Sequence, residues 1–179
     1  MKIKPSIAVM ALAAALGTNA AVAQVTVGGA AMYPTKDIID NAVNSKDHTT
    51  LVAAVKVAGL VETLKGAGPF TVFAPTNAAF SALPAGTVES LLKPENKQML
   101  SSVLTYHVVP GRLNATLLKR QIESGKTTLK TAAGGTLTAS ASGNTIMLTD
   151  EKGGTAKVTI ADVHQSNGVI HVVDRVLLP

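Results

Sequence analysis

The stretch Gly68-Pro69-Phe70-Thr71-Val72-Phe73-Ala74-Pro75-Thr76-Asn77-Ala78-Ala79-Phe80 decides the reading of this chain. It holds all three phenylalanines of a sequence whose only other aromatic residues are two tyrosines. A Gly-Pro break precedes a β-prone run, and Pro75-Thr76-Asn77 turns the chain into a helix-like pattern. Phe70, Val72 and Ala74 alternate with Thr71 and Phe73, so a strand here shows apolar groups to both faces. Such a strand belongs inside a domain, covered on both sides. Aromatic side chains bury more area than any others, so this cluster predicts a core centre.

Outward from that strand, the N-terminal side reads as helical. Ile38, Ile39, Ala42 and Val43 form one apolar helix face, with Asp37 in the first turn. Leu51, Val52, Val55 and Ala58 form a second face, preceded by cap-forming Asp47-His48-Thr49-Thr50 and followed by Gly59. Leu60 to Leu64 predicts one further short turn of helix. Beyond the strand, Ala78 to Leu83 predicts a short helix, with Thr76 and Asn77 as candidate caps. Thr87 opens another, and Pro94 suits the first position of a helix carrying Met99, Leu100, Val103 and Leu104. Tyr106 to Val109 has strand character up to Pro110-Gly111, and Asn114 caps a helix over 115–122.

From Thr127 onward the chain is β-prone. The predicted strands cover 127–131, 135–140, 145–150, 156–161 and 168–178, separated by Gly-, Ser- and Asn-rich turns. Helices followed by a run of strands predict an α+β domain, with most helices in its first half. No internal repeat or low-complexity linker divides it, so one domain is expected over residues 36–179.

The 179 residues carry 16 basic and 11 acidic side chains, and their mean hydropathy is +0.30. Residues 1–23 read as a cleaved secretory signal: Lys2 and Lys4, an apolar run from Ile7 to Leu16, then Ala21-Val22-Ala23. The apolar run is shorter than the roughly 20 residues a membrane span needs. No later stretch is long and apolar enough, so no membrane span is expected. Residues 24–35, with Gly28-Gly29 and Pro34, read as a flexible lead-in. The absence of cysteine excludes disulfides, thiolate metal sites and a lipidated cysteine. Export to the periplasm or beyond is therefore expected for a chain held together by packing alone.

Three segments resemble the motifs of the fasciclin domain family. Thr71 to Phe80 is similar to the family's first signature, with Thr71, Phe73, Pro75, Thr76, Asn77 and Phe80 in place. Tyr106-His107 is similar to its central pair, and Asn167 to Pro179, with His171 and Asp174, to its closing motif. Asn77 stands where the family often has Asp. The resemblance implies a β-wedge or sandwich flanked by helices. It also implies an extracellular adhesion or matrix-binding role without enzymatic activity, as in bacterial secreted single domains. Partner contact around Tyr106 and His107 follows from the same resemblance, since integrin binding has been proposed there in the family.

The residues themselves set further expectations. Adjacent strand positions face opposite ways, so Tyr106 and His107 are expected to divide between core and near-surface. A contact role predicts that His107→Ala loses binding with little change in melting; a core role predicts a large melting loss. His171 and Asp174 fall on opposite faces and form no dyad, whereas Asp162 and His164 share a parity and could meet. The four histidines show no metal-ligand spacing, and no nucleophile elbow or phosphate-binding loop is present. No catalytic residue, metal or cofactor is therefore expected. Arg112, Lys119, Arg120, Lys126 and Lys130 surround a single acid, Glu123. This basic segment is the candidate surface for a cell-surface protein or an acidic polysaccharide. Nucleic acid is not expected, since no aromatic side chains lie among these cations for base stacking. A periplasmic small-ligand carrier is the alternative function, and it requires a pocket, typically of several hundred cubic ångströms.

Overall fold

The computed structural model describes residues 24–179; the expected signal over 1–23 lies outside the described residues. Within residues 24–35, expected as a flexible lead-in, the chain forms a short hairpin. Strands β1 (Thr26–Val27) and β2 (Ala30–Ala31) pair as a hairpin, and Val27 and Met32 are buried in the core. Gly28 and Gly29 both take positive φ, which forms the two-residue turn. Strands of two residues are too short to show a period, which is why the sequence pattern is silent here.

Among the described residues, seven short α-helices follow the expected order, and six of them begin before residue 100. They are α1 (Ile38–Ala42), α2 (Thr49–Ala58), α3 (Val61–Lys65), α4 (Asn77–Ser81), α5 (Thr87–Leu91), α6 (Lys97–Tyr106) and α7 (Ala115–Glu123). Asp37, Thr76 and Asn114 each accept a backbone N–H at the start of α1, α4 and α7 respectively. Each such cap satisfies a donor that the helix itself leaves free, worth ~1 kcal/mol.

Strand β3 (Phe70–Pro75) lies inside a seven-stranded sheet. The other strands are β4 (Val108–Pro110), β5 (Thr128–Lys130), β6 (Thr136–Ser142), β7 (Thr145–Thr149), β8 (Thr155–Gln165) and β9 (Gly168–Val173). Their spatial order is β4-β3-β9-β8-β7-β6-β5. Only β3 and β9 are parallel; every other pair in this sheet is antiparallel. The sheet curls until its two edges meet, and the Ala132 N–H donates to the Val108 carbonyl at 2.7 Å. The result is a near-barrel with helices packed on it, an α+β architecture.

Two hydrophobic cores lie on opposite faces of β3. Val72 and Ala74 face the helical layer, together with Leu51, Val55, Phe80, Leu100 and Leu104. Phe73 faces the other way, among Tyr106, Leu118, Leu137, Leu148, Val173 and Leu177. The alternation read from the sequence thus builds both cores from one strand. Full burial of one such large side chain contributes roughly 1.5–3 kcal/mol.

Candidate functional site

Tyr106 and His107 are not on a strand. Tyr106 is the last residue of α6, and His107 follows as its C-cap. The expected split between inside and outside does not occur, because both side chains are buried, at 0% and 2% exposure. Helical geometry places residues about 100° apart, so neighbours can both turn inward where a helix end runs between two cores.

The Tyr106 hydroxyl donates to the Thr136 carbonyl at 2.6 Å and accepts from the Glu151 N–H at 3.2 Å. It ties α6 to the far end of the sheet, and burial pushes the phenol up from its ordinary pKa. His107 Nδ1 lies 2.7 Å from the Val103 carbonyl, and Nε2 accepts from the Leu177 N–H at 2.9 Å. These partners define a neutral ring with the proton on Nδ1. Desolvation lowers its pKa from 6.5 to about 4. With both nitrogens engaged and no access to solvent, His107 holds the C-terminal segment in place.

His171 is also fully buried and stacks on Phe73, with ring centroids 5.6 Å apart. Its Nε2 lies 2.6 Å from the Leu113 carbonyl, and its Nδ1 accepts from the Asp162 N–H at 3.3 Å. Burial lowers this pKa too. Asp174 is exposed and accepts from the Lys157 N–H at 2.8 Å, well removed from the role of a dyad partner. Asp162 sits in an irregular part of β8 with φ of 58°, a left-handed conformation unusual outside glycine. That turn aims its carboxylate at the Ala115 N–H, 2.7 Å away at the start of α7. Strand parity fails across this irregularity, and no hydrogen bond or ion pair joins Asp162 to His164 among the described residues.

Asn77 does not cap its own helix, where Thr76 serves. Its Oδ1 accepts from the Thr50 N–H at 3.0 Å, and its Nδ2 donates to the Lys46 carbonyl at 2.9 Å. It therefore caps α2 from a distance. Thr71 accepts from the Leu113 N–H and donates to the Gly111 carbonyl, fixing the loop after β4. Phe80 is buried in the helix-side core, and Pro75 is buried at the end of β3 opposite Val173.

The basic residues are placed differently. Arg112 and Arg120 are exposed, as are Lys126 and Lys130, while Lys119 is half-buried. Arg112 donates to the carbonyls of Gln165 and Ser166 at 3.4 and 3.3 Å, bracing the β8–β9 turn. Lys119 donates to Asn144 Oδ1 at 2.6 Å, bracing the β6–β7 turn. Leu118 anchors α7 from its buried side, at 0% exposure. Among the described residues, ion pairs join only Lys65 to Asp37 and Asp40, so none of these five cations is neutralised by a carboxylate. Also among the described residues, no cluster of three or more His, Asp or Glu could hold a metal ion.

The topology, the two cores and the Tyr106-His107 arrangement define a fasciclin-type domain, and a family profile for that domain matches residues 46–179. The chain belongs to the fasciclin domain family. It is 53% identical over 144 residues to protein sll1483 of Synechocystis, covering 79% of this chain and 73% of that protein. It is 38% identical over 141 residues to the immunogenic protein MPB70 of Mycobacterium bovis, covering 76% of this chain and 65% of the relative. In three dimensions it resembles a fasciclin domain pair from the insect cell adhesion molecule fasciclin I. The TM-score is 0.72 at 19% identity, covering 82% of this chain and 52% of the pair, which establishes likeness of fold.

Proposed function

We propose that this protein is an exported, non-enzymatic binding domain that attaches to an acidic component of a cell surface or matrix. The observation that carries the reading is the basic segment from Arg112 to Lys130, which runs through α7 into β5. Five cations stand there without a carboxylate partner, and four of them are exposed. Exposed cations with no internal counter-charge attract polyanions, and the attraction weakens with salt. The fold neighbour comes from a cell adhesion molecule, which agrees with a role in attachment. The buried histidines His107 and His171 have both ring nitrogens occupied by backbone partners, which favours a structural over an acid–base role. Among the described residues no helix is long and apolar enough to cross a membrane.

Tyr106 and His107 act in this reading from within. They fix α6 and the C-terminal segment, while Arg112, Lys119 and Arg120 face the partner. The test is attachment of cells lacking the protein, with add-back of the purified domain and of an Arg120→Glu/Lys126→Glu double variant. The unaltered domain restores attachment and does so less well as salt rises; the double variant melts at the same temperature and does not restore it. Unchanged attachment on deletion and on add-back would refute the adhesion role.

A further inference from the structure

Strands β5 to β8 turn one face into the core and the other toward solvent. Residues of one parity, among them Leu129, Leu137, Leu148 and Ala156, join Leu118 of α7 in the core. Residues of the other parity face away from it, and threonine recurs among them. Thr128 pairs with Thr138, Thr138 with Thr149, and Thr149 with Thr155, so four threonines stand in register across four strands. Thr128 and Thr138 are exposed, and Thr149 and Thr155 are half-buried. The row ends at β8, because β9 pairs with β8 only from Val158 onward.

Strand preference accounts for threonine on these strands, and leaves open why four of them line up. Among the described residues none of the four hydroxyls makes an intramolecular hydrogen bond, whereas the hydroxyl of neighbouring Thr136 bonds Glu151 at 3.0 Å. Each hydroxyl has one donor and two acceptor positions. Adjacent strands lie about 4.8 Å apart, so the row presents four such groups along roughly 14 Å. Two exposed lysines flank it, Lys130 two residues beyond Thr128 and Lys157 two residues beyond Thr155. Strands β5 and β8 run in opposite directions, so these lysines stand at opposite ends of the row and on opposite sides of it. No carboxylate forms an ion pair with either among the described residues; Glu151 and Asp174 accept instead from the backbone N–H groups of Thr136 and Lys157.

We propose that this row binds a short stretch of an acidic polysaccharide lying across the strands. The hydroxyl part follows from spacing. One unit of an extended, equatorially linked sugar chain is close in length to one strand spacing, so four successive units each place ring hydroxyls over one threonine. The acidic part follows from the lysines. Consecutive units of such a chain are turned over relative to one another, so their acid groups point alternately to the two sides. The first and the fourth therefore point to opposite sides, as Lys130 and Lys157 do. A carboxylate on each ammonium makes a charge-assisted hydrogen bond. The proposal rests on the reading of this protein as a binder of acidic surface material. It names that material and adds a second contact face, which shares only Lys130 with the basic segment.

The experiment titrates the protein with three probes: β-1,4-linked tetraglucuronate, cellotetraose, which has the same backbone without charge, and tetrapolyphosphate, which has charge without sugar hydroxyls. Affinities are read by calorimetry, and the threonine methyl resonances by NMR. Tetraglucuronate shifts the methyl resonances of Thr128, Thr138, Thr149 and Thr155 saturably, cellotetraose binds the same row more weakly, and tetrapolyphosphate leaves Thr138 and Thr149 unmoved. Thr138→Val/Thr149→Val, which keeps side-chain shape and strand preference, weakens tetraglucuronate by about tenfold, the net worth of two hydrogen bonds, and leaves tetrapolyphosphate binding unchanged. Lys157→Gln weakens tetraglucuronate and not cellotetraose. Absence of saturable shifts at the row with tetraglucuronate, or an unchanged affinity in the threonine variant, overturns the site. Equal affinities for tetraglucuronate and cellotetraose overturn the part given to the lysines. Tetrapolyphosphate binding that Arg120→Glu/Lys126→Glu leaves intact would count against the basic segment and not against the row. The methyl measurement needs no variant, so it decides even where a substitution prevents folding.

Discussion

Acidification should destabilise this domain through His107, and the size of the effect follows from its surroundings. In the folded protein the ring is neutral: Nδ1 is held against the Val103 carbonyl, and Nε2 accepts from Leu177. Its folded pKa is about 4 against 6.5 when free. The unfolded chain therefore binds a proton that the folded chain refuses between pH 6.5 and 4, and stability falls as pH falls through that window. Between pH 7 and pH 5 the loss attributable to this one group is about 2 kcal/mol. His48 and His171, whose pKa values are also lowered, add to it in the same direction. The assay is urea unfolding at the two pH values by far-ultraviolet circular dichroism, since the protein has no tryptophan to report by fluorescence. At a slope of roughly 2 kcal/mol per molar urea, the midpoint drops by about 1 M from this residue. His107→Asn is less stable at pH 7 but lacks the titration, so its loss between pH 7 and 5 is smaller by about 2 kcal/mol. Equal losses in the two proteins would refute the argument, because they would mean that the folded domain already accommodates the imidazolium.

Tyr106→Phe leaves the Thr136 carbonyl and the Glu151 N–H without their shared partner. It should cost about 1–3 kcal/mol in urea unfolding, and an unchanged midpoint would contradict the network. Asn77→Ala should cost about 1 kcal/mol by removing the remote cap of α2, with amide exchange rising at Thr50 rather than at Ala79. If protection falls at Ala79 instead, Asn77 caps its own helix after all. Gly168→Ala should prevent folding, because a Cβ there runs into the Phe70 carbonyl across the parallel pair. A soluble, cooperatively melting Gly168→Ala protein would mean that β3 and β9 can separate.

The legible parts of this fold were those set by local chemistry. Phe70 to Phe80 announced a two-faced strand, a turn and a helix because alternation and capping act within a few residues. Gly59 and Asn114 marked helix ends for the same reason, the first at φ of 74° and the second through its bond to Leu117. What escaped was set at long range. Tyr106 and His107 read as strand because aromatic and β-branched neighbours favour strands, but packing between the two cores extends α6 through Tyr106. Asn77 looked like a cap for the helix it begins, and only the tertiary fold brings Thr50 to it. Asp162 breaks strand parity at a point where nothing in the local pattern signals a left-handed residue. The basic segment was visible as a run of charges, and its lack of carboxylate partners was not.

The parallel pairing of β3 with β9 has a consequence for the order in which the chain becomes a protein. Phe70 meets Gly168, and Pro75 meets Val173, so the middle of the chain waits for residues far downstream of it. His107 likewise waits for Leu177, and Asp150 for Leu178. Neither core has its full wall until these distant residues pair, and pairings this distant in sequence form slowly. The domain thus stays open until both partners of this pairing are present. A polypeptide closed by so distant a pairing has no half-length fragment that carries a complete core.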